Sequence, residues 1–436
     1  MTLNGLVEEL LRGAADRALR YLRELPERPV AVPPDALARL AELAGPLPDK
    51  PVPAEDLLAL LDDVVAPATA ATAGPRFFGF PSGGPQPAAI AAGWLVGAAG
   101  WDAGPPADAG AAARSPGPAA LADTATRWLV HLLDLPEGTP GRFTAGPPAA
   151  HVTALAAARR TVLARAGWDV RSAGLFGAPP VTVVVSDEVH PGVLDALTVL
   201  GFGRDGLRRV RVDGQGRMRP TLIPPIAGPT IVCAQAGNAD SGAADPLAAI
   251  CARAHAEDAW VHVDGGSGLF AAASPVTRPL VAGAGQADSW AVDAGTWLGP
   301  PYDTGLALAA GVDEAGPSAA SRGAQVWAAL AALGRAGVAE LVERARDTAR
   351  RFARELSAAG LPVLNEVVVS QVLVGFGSAA RVAQVLARLR AEGEVWCGGT
   401  VWQGRPALRI SVAGGATTGE DVARAVAAIV AAAGSP

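Results

Sequence analysis

The chain has 436 residues, 50% of them apolar and 18% charged, with a formal net charge of -6. This composition belongs to a globular protein long enough for more than one core, and it excludes a disordered chain. It carries no basic stripe and no aromatic–basic interleaving, which argues against a nucleic-acid partner.

The expected elements run as follows. Leu6–Leu25 has helical spacing, with Leu6, Leu10, Tyr21 and Leu25 on one apolar stripe, and it stops at Pro26. Pro34–Leu43 and Ala54–Val65 read as short helical pieces between prolines. The apolar run around Ala88–Ala99 is too short to span a bilayer, and Met1–Pro26 lacks the layout of a secretory leader. Residues 102–118 read as loop, followed by helices at Ala119–Leu135 and Ala149–Ala166. Short buried-strand patterns then recur at Val181–Val185, Thr230–Ala234, Trp260–Val263, Trp290–Val292 and Leu306–Ala309. Helices at Gly192–Leu200 and Asp245–Ala256 lie between them. Such alternation predicts an α/β domain with a mainly parallel sheet. A long helix at Arg322–Ala359, an apolar run at Val367–Phe376, a helix at Ala379–Glu392, a strand at Leu408–Val412 and a helix at Glu420–Ala433 predict a second, smaller α/β domain. Cys233, Cys251 and Cys397 are odd in number and unclustered, which points to a reducing cytoplasm and to no zinc site.

The most informative stretch is 288–305, D-S-W-A-V-D-A-G-T-W-L-G-P-P-Y-D-T-G. With P-R-F-F-G-F-P-S-G-G at 75–84, A-W-V-H-V-D-G-G-S-G-L at 259–269 and C-G-G-T-V-W-Q-G-R-P-A-L-R-I-S-V at 397–412, it resembles the pyridoxal-phosphate (PLP) dependent group II amino-acid decarboxylases, the aromatic-L-amino-acid decarboxylase group. The resemblance covers nearly the whole chain. It implies PLP-dependent transferase fold type I, an α/β fold. The implied parts are an N-terminal helical segment swapped between subunits (1–75), a large domain with a mainly parallel seven-stranded sheet (76–320) and a small C-terminal α/β domain (321–436). A cytoplasmic homodimer acting on a small molecule is expected, with no membrane partner.

The resemblance also assigns residues. Asp264, ending W-V-H-V-D, matches the aspartate that pairs with the pyridine nitrogen, and His190, in S-D-E-V-H-P, matches the histidine that stacks on the ring. Asp293 opens the cofactor-lysine segment. His151, Asn238, Tyr302 and Arg409 are candidate substrate-binding groups, and Asp240 follows Asn238 at the same strand end. Each residue also has a plain structural use: aspartates cap turns after strands, and buried Arg, Tyr and His commonly serve pairing.

Against this stand several departures. The family segment reads D-A-H-K-W, and its lysine holds PLP as a Schiff base; here Gly295 and Thr296 stand in place of His and Lys. The only lysine in the chain is Lys50. The Gly-rich turn that binds the PLP phosphate reads T-A-G-P-P-A-A-H at Thr144–His151, where Pro147 and Pro148 have no N–H to donate. The stretch Gly311–Ser321 leaves no room for the family's long tyrosine-bearing loop. Gly266, Ser267 and Ala413–Thr418 put small residues where larger ones are usual. Thr296 excludes covalent PLP, whereas non-covalent PLP or pyridoxamine phosphate stays compatible with Asp264 and His190. The favoured reading is a PLP-independent enzyme on a decarboxylase scaffold. It would carry out an acid–base lyase, isomerase or cyclase step in specialised metabolism, with His190, Asp264, Thr296 and Asp293 as catalytic groups. The alternatives are a non-catalytic homologue or regulatory partner subunit and, behind it, a PLP-binding carboxy-lyase.

Overall fold

The computed structural model describes residues 3–101, 116–312 and 319–434. Two compact units emerge. One comprises Met1–Gly84, Arg351–Val363 and Val374–Pro436; the other comprises Pro85–Arg350 and Leu364–Leu373.

In the larger unit the strands are β2 (Gly141–Thr144), β3 (Thr182–Ser186), β4 (Arg208–Val210), β5 (Thr230–Gln235), β6 (Trp260–Gly266), β7 (Ser289–Asp293) and β8 (Gly305–Ala309), β1 being Phe77–Phe78 of the other unit. They form one sheet in the order β2-β8-β7-β6-β5-β3-β4. All neighbours are parallel except β8, which runs antiparallel to both β7 and β2. Strands buried on both faces read as continuous apolar runs, and T-I-V-C-A-Q of β5 is buried at every position. The helix Pro147–Arg165 lies against one face. Its Ala150, Ala154, Ala157 and Ala158 let the backbone approach Val183, Val185, Ile231 and Ala291, with Leu155 and Val162 filling the gaps.

The smaller unit holds the first helix (Leu3–Glu24), β1, β10 (Trp396–Trp402) and β11 (Arg405–Ser411), flanked by helices Ala379–Glu392 and Gly419–Ala433. The two-residue β1 pairs in parallel with Trp396 and Cys397, and β10 and β11 form an antiparallel pair. Thr418 and Asp421 close the last helix with a reciprocal capping box.

The helices and the larger strands lie within a few residues of the positions expected from sequence. β1, β2, β4 and β10 were not foreseen. β1, β2 and β4 are two to four residues long, too short for a periodic signal, and β10 carries Gly398 and Gly399 mid-strand. Pro87–Ala99 is a helix. Of the loop expected at 102–118, residues 102–115 lie outside the described residues, and Pro116–Pro118 instead open the helix Pro116–Leu132. The apolar run from Val367 becomes strand only at Gln371, where β9 (Gln371–Gly375) begins; the carbonyls of Val367 and Val368 instead accept from Arg350 and Arg346. The short connection expected at Gly311–Ser321 includes 313–318, which lie outside the described residues. Among the described residues one helical stretch, Ser321–Ala358, is long and apolar enough to cross a membrane by length and composition, although it breaks at Gly334, whose φ of 62° and ψ of 179° are not helical. Its Ala324, Val326, Ala329, Val338, Val342, Ala345 and Ala349 are buried within the fold, as the core helix of an α/β protein requires.

Candidate active site at the carboxyl ends of the sheet

The candidate residues converge because of strand periodicity. Side chains two apart share a face, so Trp260, His262 and Asp264 of β6 point the same way. Parallel register sets Cys233 beside His262 and Gln235 beside Asp264 on β5, and Ser289 beside His262 and Ala291 beside Asp264 on β7. The helix Pro147–Arg165 brings His151 onto this face. His151 Nε2 lies 3.4 Å from Asp264 Oδ1, and His151 Nδ1 lies 3.1 Å from His262 Nε2. His262 Nδ1 is 2.9 Å from Ser289 Oγ, to which Trp260 donates its indole N–H at 2.8 Å.

Electrostatics follow from burial and neighbours. Desolvation and the adjoining His151 pull the His262 imidazole down to about 3, so it is neutral. Burial pushes the Asp264 carboxyl up, but His151, with smaller help from His190 and His262, outweighs it and leaves Asp264 below the usual carboxylate range. Burial drives the Cys233 thiol up to about 12 and the Asp245 carboxyl up to about 7, even though Asp245 accepts the backbone N–H groups of Met218 and Gln235. The carboxamide of Gln235 is buried and has no hydrogen-bond partner for either amide atom among the described residues.

At the end of β7, Asp293 organises the following turn. Its Oδ1 accepts the backbone N–H of Gly295 at 2.8 Å and of Thr296 at 3.3 Å, and its Oδ2 accepts the Thr296 hydroxyl at 2.6 Å. Burial raises the Asp293 carboxyl against these hydrogen bonds, and nearby Asp303 raises it further. Gly266 has a local cause: β6 bulges between Asp264 and Gly266, and its φ of 37° lies in the left-handed region.

The turn before His151 is equally specific. Gly146 (φ 87°, ψ 170°) precedes a helix whose first two residues are Pro147 and Pro148, and the N–H of Ala150 already bonds to the Gly146 carbonyl. This leaves Ala149 as the first N–H at that helix end. Asp303 packs on the turn: a side chain at Gly146 would start 3.3 Å from its Cβ.

The remaining candidates are placed as follows. His190 is exposed, caps the helix Pro191–Val199 and accepts the Gly192 N–H on Nδ1 at 3.0 Å. Asn238 is buried and closes its own loop, accepting from the N–H groups of Asp240 and Ser241 and donating to Glu188 at 2.9 Å. Tyr302 is 65% exposed. Arg409 lies on β11 of the smaller unit, with Nη2 3.4 Å from the Gly79 carbonyl. Sequence reasoning assigned no role to Ser289, Trp260, Gln235 or His262. The signal available for them was period-two spacing: Trp260, His262 and Asp264 alternate along one strand, and Ser289 heads the next.

A seven-stranded sheet with one antiparallel strand, an aspartate at the end of β6 and a histidine after β3 define a protein of PLP-dependent transferase fold type I. The Pyridoxal-dependent decarboxylase conserved domain matches residues 34–309, and the chain belongs to that family. It is 29% identical over 304 residues to an aromatic-L-amino-acid decarboxylase of Bacillus atrophaeus, covering 68% of this chain and 60% of that one. It is 34% identical over 191 residues to an L-2,4-diaminobutyrate decarboxylase of Rhizobium meliloti (strain 1021), covering 41% of this chain and 36% of the relative. These matches therefore span three fifths or less of the relatives' own length. The fold is shared with the crystal structure of Oryza sativa TDC with PLP and tryptamine (TM-score 0.85, 22% identity, 99% of this chain and 98% of that one). It is shared equally with that of mouse CSAD (TM-score 0.86, 20% identity, 98% of each chain).

Proposed function

We propose that this chain is a decarboxylase-family homologue that has left covalent PLP chemistry and uses the retained site for PLP-independent acid–base work. The observation that carries the reading is the Thr296–Asp293 pair, with the Thr296 hydroxyl closed onto Asp293 at 2.6 Å. The residues here do not fit covalently held PLP: a hydroxyl forms no imine with an aldehyde, and the sole lysine is Lys50. The phosphate end fits no better. Pro147 and Pro148 remove two donors from the helix N-terminus, and the Asp303 side chain packs against the turn.

What remains suits proton transfer. Asp264 is an ionised acceptor. In neutral His190, Nδ1 is occupied as an acceptor by the Gly192 N–H, so Nε2 carries the hydrogen and can donate. A donor and an acceptor on one site support a lyase, isomerase or cyclase step. The substrate is a small molecule, and Asp264 and His190 would equally receive a non-covalent pyridine ring. Turnover, without PLP, of any small molecule that mass spectrometry finds bound to the purified protein tests the reading. Full activity in His190→Ala and Asp264→Ala variants would show that these roles are misassigned.

A second reading, a non-catalytic partner subunit, draws support from how completely Asp293 and Asn238 are satisfied by neighbouring protein groups. Co-purification with a lysine-bearing relative would favour it. The homodimer also belongs to the proposal: the first helix exposes Val7, Leu11 and Leu19, an apolar face of the kind that subunit contacts cover.

A further inference from the structure

We infer that Trp260, Ser289, His262 and His151 form a one-directional hydrogen-bond relay ending on Asp264, with His151 as the residue that positions this carboxylate. The inference goes beyond the proposed function and holds whether or not the site turns over a substrate. Every member is buried: Trp260 is 3% exposed, Ser289 and His262 0%, and His151 2%. Bulk water therefore does not supply missing partners, and each polar hydrogen must be accounted for inside the fold.

The direction is set from both ends. An ionised carboxylate offers only lone pairs, so His151 must turn an N–H toward Asp264, and the nitrogen that faces it at 3.4 Å is Nε2. In its neutral form His151 has one N–H, so its Nδ1 is left to accept. Its neighbour at 3.1 Å, His262 Nε2, must then be the donor. His262 Nδ1 in turn accepts, and the hydroxyl at 2.9 Å is Ser289. At the far end the Trp260 indole is a donor only and occupies a lone pair of Ser289 Oγ, leaving the hydroxyl hydrogen for His262. The reversed arrangement fails twice. With a neutral His151 it points the bare Nε2 lone pair at the carboxylate, and with His151 in either form it leaves the Ser289 hydrogen with no acceptor among the described residues. The rings meet edge to face, with planes 75° apart, so neither can swap nitrogens without breaking two contacts.

The consequence concerns the ligand. With His151 donating from behind, Asp264 presents lone pairs alone on its remaining side. The complementary atom is an N–H or O–H donor, such as a protonated ring nitrogen or an amine, and an anion is disfavoured there.

The test uses the full chain labelled with 15N histidine. Only five histidines are present, and His131, His190 and His255 are exposed and can be assigned by single substitution. Long-range 15N–1H correlation is expected to show His151 and His262 both protonated on Nε2 and bare on Nδ1. Ser289→Ala, two hydrogen bonds away, should shift the Nδ1 resonance of His151, and Ser289→Thr should restore it; a packing role alone would not transmit that change. An Nδ1–H at either residue, in a neutral or a doubly protonated ring, overturns the relay, and so does a His151 signal unmoved by Ser289→Ala. Should the alanine variant fail to fold, the wild-type tautomers decide by themselves.

Discussion

Thr296 donates its hydroxyl to Asp293 Oδ2 at 2.6 Å, while Asp293 Oδ1 accepts the N–H of Gly295 at 2.8 Å. The Thr296 side chain is thus committed to closing the turn that follows β7. Removing the hydroxyl leaves a buried carboxylate oxygen short of a donor. Thr296→Val is therefore expected to lower stability by about 1–3 kcal/mol, measured by denaturant unfolding. An unchanged midpoint would mean that the pair does not support the turn.

Restoring the amine alone is expected to fail. Thr296→Lys supplies a nucleophile but leaves Pro147, Pro148 and Asp303 at the proposed phosphate end. Incubated with PLP, this variant should retain no visible absorbance through gel filtration. Adding Pro147→Gly and Pro148→Thr, which return two backbone donors, should give retention. Stable retention by the single variant would show that the proline turn is no obstacle.

The buried relay makes an acid-stability prediction. His262 is held neutral at about 3, below its ordinary 6.5, so between these values the unfolded chain binds the extra proton. Its contribution is complete above pH 6.5 and is lost as pH falls toward 3. By pH 5 the loss is about 2 kcal/mol. Thermal unfolding at pH 7.5 and pH 5 should show a steeper fall for wild type than for His262→Gln, even though the variant starts lower. Parallel slopes would contradict the neutral burial of this ring.

The first helix tests the proposed dimer. Leu11 and Leu19 are 57% and 47% exposed. Changing both to glutamate should halve the mass seen by sedimentation without altering the circular dichroism spectrum. A monomeric wild type would remove this part of the proposal.

Much of the fold was legible in the sequence because β5 through β8 are apolar runs bounded by turns and the major helices keep their period. β1 and β2 were not, because strands of two and four residues owe their existence to partners distant in the chain: Trp396 and Cys397 for β1, Gly305–Leu308 for β2. The site was legible in part. Asp264, His190 and Asp293 stood out beside recognisable segments. The role of His151 was hidden because its partners, His262 and Asp264, lie more than a hundred residues away and meet it only across the helix–sheet interface. Asn238 read as a ligand-binding residue from its place at a strand end; in the structure its side chain closes its own loop and donates to Glu188.

The central claim, a decarboxylase-family site without covalent PLP, is tested most directly by loading the purified protein with excess PLP, reducing with borohydride, desalting and measuring intact mass and visible absorbance. The account predicts no phosphopyridoxyl mass at the site and no absorbance band surviving desalting. A stoichiometric retained band, together with PLP-dependent release of carbon dioxide from an amino acid, would contradict it.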